Sequence, residues 1–149
     1  MLHYEDMVVG ATHSFGQYEV TRAEVIDFAS RYDPQPFHLD DAAAGQTHFG
    51  RLSASGWHTG AMTMRMLVDT MQTRAQASLG SPGIDTLRWL HPVYPGDTLR
   101  VETELLEKRR SKSRPEMGLL KTRSRTFNQD DVCVLDMVTN AMIRTRAIG

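Results

Sequence analysis

The spacing of apolar positions changes along this chain, and the changes divide it into elements. After Thr21, "RAEVIDFAS" sets Val25, Ile26, Phe28 and Ala29 on one helical stripe. Thr21 and Glu24 have the spacing of a capping box. Pro34 and Pro36 predict an end near Ser30. A shorter helical turn follows Asp40, in "DAAA". Ser55 suits the N-cap of a second, longer helix. Beyond it Trp57, Ala61, Met64, Val68 and Met71 recur at spacings of 4, 3, 4 and 3, which is helical periodicity on one face. Met62, Met66 and Leu67 widen that stripe, so this helix is expected to be wrapped by the rest of the chain. Arg65 and Asp69 form an i,i+4 pair on its polar strip.

Strand periodicity takes over from there. "TLRVETELLE" after Asp97 alternates, with Leu99, Val101 and Leu105 to one side and Arg100, Glu102 and Glu104 to the other. "YPGD" at Tyr94–Asp97 is a turn signal between it and a preceding strand at Ile84–Val93. Further strands are expected at His13–Val20, Leu119–Phe127 and Val132–Arg146. The order is strand, helix, helix, then four strands. It predicts an α+β fold, one domain over residues 1–149, with a curled antiparallel sheet wrapped around one long central helix.

Composition narrows the function classes. The 149 residues are 40% hydrophobic and 23% charged, with a net charge of -1, so no global field recruits nucleic acid or an anionic membrane. Eight basic residues between Glu107 and Arg125 face only Glu107 and Glu116. A solvated hairpin accounts for this patch; attraction of a phosphate-rich ligand is the sharper reading. One cysteine, Cys133, excludes an internal disulfide and fits a reducing compartment. With no secretory signal at the start and no apolar run long enough to span a bilayer, a cytoplasmic location is expected. The six histidines and one cysteine show no zinc-ligand spacing, so no metal is expected.

The chemistry concentrates in "RYDPQPFHLDD", Arg31–Asp41. Two prolines stiffen the segment and lower its ordering cost. They present Asp33 and His38, which can hold one water between a carboxylate and an imidazole. A turn-capping aspartate and a packed histidine account for the same spacing. Eighteen residues beyond His38 lies Gly56, in "SASGWHT", at the predicted start of the long helix. Unpaired N–H groups and the positive dipole end there suit an anionic oxygen.

This combination resembles the MaoC-like acyl dehydratases and (R)-specific enoyl-CoA hydratases of the hotdog fold. Their signature, roughly G-D-x-N-P-hydrophobic-H, corresponds to the run from Tyr32 to His38. Ser55–Gly56 matches the small residue and glycine that open the family's central helix, and "HPVYPGDTL" matches its proline-then-GD segment. The likeness spans nearly the whole chain. Gln35 stands where the signature has asparagine and Tyr32 where it has glycine.

The resemblance implies a single hotdog domain that hydrates 2-enoyl-CoA or dehydrates 3-hydroxyacyl-CoA thioesters. Asp33 and His38 would activate the water, and the Gly56 N–H would stabilise the thioester enolate. Gln35, Phe37, Ser55, Trp57 and Arg51 are the expected substrate contacts. Trp57, Phe37, Phe49 and Met64 are candidates to line the acyl tunnel, and Arg51 to hold a coenzyme A phosphate. Coenzyme A enters as substrate carrier, with no resident cofactor, and the fold implies a homodimer or a higher homo-oligomer. Two other functions stay open. A hotdog thioesterase usually carries an acid on the central helix, where this chain has only Asp69. A non-catalytic acyl-CoA-binding module is the other. His58, two residues past Gly56, is expected to pack as a structural histidine.

Overall fold

The computed structural model describes residues 1–73 and 75–146, with the backbone alone for 71–73. Five strands form one antiparallel sheet: β1 (Thr12–Glu19), β2 (Gly83–Trp89), β3 (Thr98–Arg110), β4 (Met117–Phe127) and β5 (Cys133–Arg144). Their order across the sheet is β1-β3-β4-β5-β2. Among the described residues three α-helices precede β2: α1 (Arg22–Tyr32), the short α2 (Asp41–Ala44) and the long α3 (Gly56–Thr73). Register shifts interrupt every strand pair, for example at Leu105/Glu107 in β3 and Ile84/Thr86 in β2. Irregularities of this kind bend strands and increase twist, which curls the sheet around α3.

Local chemistry sets the element ends. Thr21 Oγ1 accepts from the Glu24 N–H and caps α1. The helix runs two residues past Ser30, because Pro34 constrains only the residue just before it. That residue, Asp33, leaves helical geometry at φ -151°, ψ 64°, while its N–H still bonds the Ala29 carbonyl. In the turn before β3, Gly96 takes φ +95° and the Asp97 N–H bonds the Tyr94 carbonyl. Pro95 then Gly96 is the residue pair such a turn requires. β2 ends at Trp89, short of the expected Val93, just before Pro92.

The core lies between α3, α1 and the concave face of the sheet. Leu99, Val101, Val134, Leu135 and Met137 from the strands meet Val25 of α1 and Met62 and Met66 of α3. The inward face of α3 is not the stripe read from the sequence. Thr59, Met62, Thr63 and Met66 are buried, whereas Trp57 (62% exposed), Met64 (50%) and Val68 face outward. The side chain of Met71, the last member of that stripe, lies outside the described residues. The helix is apolar on two faces, and periodicity cannot rank them. The buried threonines are tolerated because their hydroxyls are satisfied: Thr63 Oγ1 donates to the Thr59 carbonyl and meets Thr126 Oγ1 at 2.6 Å.

Candidate active site

Asp33 and His38 come together at the end of α1. After Asp33 the chain crosses Pro34 and Gln35 and makes one tight turn, Pro36–His38. The Gln35 N–H bonds the Asp33 carbonyl at 2.7 Å and the His38 N–H bonds the Gln35 carbonyl at 2.9 Å. The departure from the asparagine of the signature is therefore absorbed: Gln35 Nε2 reaches back and donates to Asp33 Oδ1 at 2.6 Å. Asp33 Oδ2 faces His38 Nε2 at 3.5 Å.

His38 is 5% exposed, and its tautomer follows from its partner. Nδ1 lies 2.7 Å from the Ser53 carbonyl oxygen, which can only accept, so Nδ1 carries the proton. In the neutral ring Nε2 is then an acceptor, and so is Asp33 Oδ2. Two acceptors 3.5 Å apart cannot satisfy each other. A water that donates one hydrogen to each can. Burial raises the Asp33 pKa, but the Gln35 amide, the Ser55 hydroxyl and the His38 ring together lower it further, and its carboxyl sits below the usual aspartate range. It is thus an ionised acceptor at neutral pH. Phe37 seals one side, edge-on to His38 at 4.6 Å and stacked with Phe49 at 5.2 Å.

Ser53 and Ser55 are fully buried, and neither hydroxyl has a well-formed hydrogen bond among the described residues. Gly56 follows as the first residue of α3. The Thr59 N–H bonds the Ser55 carbonyl, so the N–H groups of Gly56, Trp57 and His58 precede the first intrahelical bond. Gly56 is glycine for a further reason: a Cβ there would lie 2.7 Å from Trp89 Cε2. Trp89 Nε1 also donates to the Gly56 carbonyl at 2.8 Å. Nothing in the sequence pattern linked residues 56 and 89.

The remaining expected contacts sit differently. Trp57 does not line the buried site; it is exposed and packs edge-to-face on Trp89 at 5.0 Å. Met64 is likewise exposed, because it shares the outward face of α3. Arg51 is exposed, its guanidinium 4.0 Å above the Tyr94 ring. Among the described residues, four of the eight basic residues in the patch pair with acids the sequence placed elsewhere. Lys121 pairs with Asp85, Arg123 with Asp136, Arg125 with Glu102 and Arg110 with Glu5. His58 does not merely pack. Its Nε2 lies 3.1 Å from Glu24 Oε1, and the Glu24 carboxylate has left the capping box to meet it.

The sequence model of the MaoC like domain matches residues 7–126. The chain belongs to the MaoC-like family. This MaoC-like chain is similar to the crystal structure of a MaoC-like dehydratase from Rhodospirillum rubrum, with a TM-score of 0.91 and 40% identity, covering 99% of this chain and 100% of that one. It is also similar to the R-hydratase PhaJ1 from Pseudomonas aeruginosa, with a TM-score of 0.70 and 27% identity over 97% and 86% of the two chains. Among curated relatives, 3-hydroxybutyryl-CoA dehydratase of Methylorubrum extorquens is 32% identical over 112 residues, 72% of this chain and 66% of that protein. The fold these MaoC-like proteins share is the hotdog: a curled antiparallel sheet around one long helix. Among the described residues, no helix is long and apolar enough to cross a membrane.

Proposed function

We propose that this MaoC-like protein hydrates 2-enoyl-CoA thioesters, or dehydrates 3-hydroxyacyl-CoA thioesters in reverse. The observation that carries the reading is the facing pair of acceptors, Asp33 Oδ2 and His38 Nε2, with the other imidazole nitrogen committed to a backbone carbonyl. One water donates to both. Asp33 accepts one hydrogen of the water and orients it. His38 Nε2 takes its proton as the hydroxyl adds to C3 of the enoyl group. The electron pair of the double bond moves toward the thioester carbonyl, and that oxygen gains negative charge. The first N–H groups of α3, Gly56 among them, are the donors for it. The proton held on His38 then passes to C2. One water supplies both added groups, and the reaction needs no metal or redox cofactor.

Ser55, Gln35 and Phe37 border this water and form the near wall of the substrate site. Arg51, stacked on Tyr94, keeps the edge of its guanidinium for a coenzyme A phosphate. A second copy completes the outer wall. Ile84, Trp89 and Leu90 are exposed on and beside β2, an edge of the sheet, and Trp57, Met64 and Val68 are exposed on α3. Large apolar side chains beside an open strand edge fit a homodimer joined there. Cys133 is a free, half-buried thiol, as suits a reducing cytoplasm.

The thioesterase reading loses its acid: Asp69 is exposed and pairs with Arg65. A panel of 2-enoyl-CoA thioesters, short, long, branched and dicarboxylic, decides the matter. Loss of enoyl absorbance without free thiol is expected. Thiol release without hydration would favour a thioesterase, and tight binding without turnover a carrier module.

A further inference from the structure

We propose that Glu24 and His58 are positioning residues for the Asp33–His38 site, holding α1 at a fixed offset from the start of α3. The inference rests on the hydratase reading of that site. His58 is 2% exposed and lies in the first turn of α3, two residues past Gly56. Its Nε2 is 3.1 Å from Glu24 Oε1. Phe28 stacks on the same ring, with centroids 4.7 Å and planes 8° apart. Glu24 and Phe28 both belong to α1, so one helix grips the imidazole of the other twice. The Tyr18 hydroxyl donates to the same carboxylate oxygen of Glu24. Burial first, then this carboxylate, push the Tyr18 phenol up to about 12, which keeps it a donor at neutral pH. β1, α1 and α3 therefore meet at one carboxylate.

The backbone carries this offset to the site. Asp33 ends α1, and its N–H is still bonded to Ala29, so it moves with the helix. Ser55 and Gly56 begin α3, and the Ser55 hydroxyl helps lower the Asp33 pKa. A slip of α1 along α3 would shift the carboxylate against the helix N-terminus, and a misplacement of about 1 Å can cost about 10²-fold in rate.

Three features favour a positioning role over packing. Glu24 gives up the capping box to reach His58. Among the described residues His58 Nδ1 is buried without a hydrogen-bond partner, a cost an aliphatic residue would not carry. Finally, Tyr18, Glu24, Phe28 and His58 border a cleft of about 300 Å³ between α1 and α3. Beside this open cleft the Glu24–His58 bond and the Phe28 stack tie the two helices together.

The test compares Glu24→Ala, Glu24→Gln and His58→Leu in the full chain. The readouts are kcat and KM for crotonyl-CoA hydration, thermal unfolding, and the NMR resonances of the His38 ring. Glu24→Ala is expected to lower kcat at least about tenfold, change KM by less than about threefold and move the His38 resonances. Glu24→Gln keeps an oxygen that accepts from both Tyr18 and His58, and should restore kcat and the resonances. His58→Leu fills the imidazole's place without the bond and should reproduce the loss; it carries the same readouts if Glu24→Ala does not fold. An unchanged kcat in Glu24→Ala or His58→Leu, or an equal loss in Glu24→Gln, overturns the proposal. If the wild-type protein hydrates no enoyl thioester, the functional reading fails by itself. The His38 resonances then decide the positioning role: unmoved in both Glu24→Ala and His58→Leu, they overturn it.

Discussion

Gly56→Ala tests how the start of α3 is built. The added Cβ would lie 2.7 Å from Trp89 Cε2, 2.8 Å from Cδ2 and 2.9 Å from Nε1. Ordinary contact begins at 3.4 Å, so the indole must retreat by 3.4 − 2.7, about 0.7 Å. It can do so, because Trp89 is 43% exposed. The retreat breaks the 2.8 Å bond from Nε1 to the Gly56 carbonyl, worth about 0.5–1.5 kcal/mol net. It also disturbs the edge-to-face contact with Trp57, worth about 0.5–1.5 kcal/mol. Against this, alanine restricts the unfolded chain and returns about 0.4–1 kcal/mol. The balance is a loss of about 1 kcal/mol and a Tm lower by about 2–4 °C for a chain of this size.

The discriminating assay is a double-mutant cycle read by thermal unfolding. In a Trp89→Ala background the ring, the bond and the clash are gone. Only the unfolded-state term remains there, so Gly56→Ala should raise stability by about 0.4–1 kcal/mol. The sign of the effect therefore reverses. An equal fall in Tm in both backgrounds would refute the reasoning and assign the glycine to backbone demands.

Two further predictions follow from the ion pairs and the exposed face. Arg123 donates to both oxygens of Asp136, at 3.1 and 2.7 Å, and holds its carboxyl below the usual range. A depressed folded pKa stabilises above the unfolded value, near 3.9, and the gain is lost as pH falls through the folded pKa. Asp136→Asn should thus cost about 1 kcal/mol at neutral pH, with the gap to wild type closing in acid; a gap constant across the acid range would contradict this. If the proposed homodimer uses the outward apolar face of α3, Val68→Asp on that face should yield a folded monomer by light scattering where wild type is a dimer; an unchanged oligomer would place the contact elsewhere.

What the sequence revealed is what short-range chemistry controls. Thr21 caps α1, Pro34 expels Asp33 from the helix, and Pro95–Gly96 makes the turn, each within four residues. The pairing of Asp33 with His38 was legible for the same reason, since one braced segment carries both. The orientation of α3 was not. Trp57, Met64 and Val68 repeat as regularly as Met62 and Met66, and it takes the burial of Thr59, Met62, Thr63 and Met66, with the Thr63–Thr126 bond across the core, to show which face turns inward. The Ser53 carbonyl that fixes the His38 tautomer is backbone, and backbone has no signature in the residue order. Trp89 against Gly56, and Glu24 against His58, are contacts over 33 and 34 residues. Glu24 was concealed further because its spacing from Thr21 has a complete local explanation in the capping box.

In the proposed mechanism Asp33 and His38 share one water as paired acceptors. Hydration of crotonyl-CoA by Asp33→Asn and His38→Gln, each confirmed as folded by thermal unfolding, tests it most directly. An asparagine amide at position 33 can donate straight to His38 Nε2 and displace the water, and glutamine at 38 removes the base. Each variant should lose about 10²–10⁴-fold in kcat with Tm nearly unchanged; a wild-type rate in either folded variant would rule out the shared water.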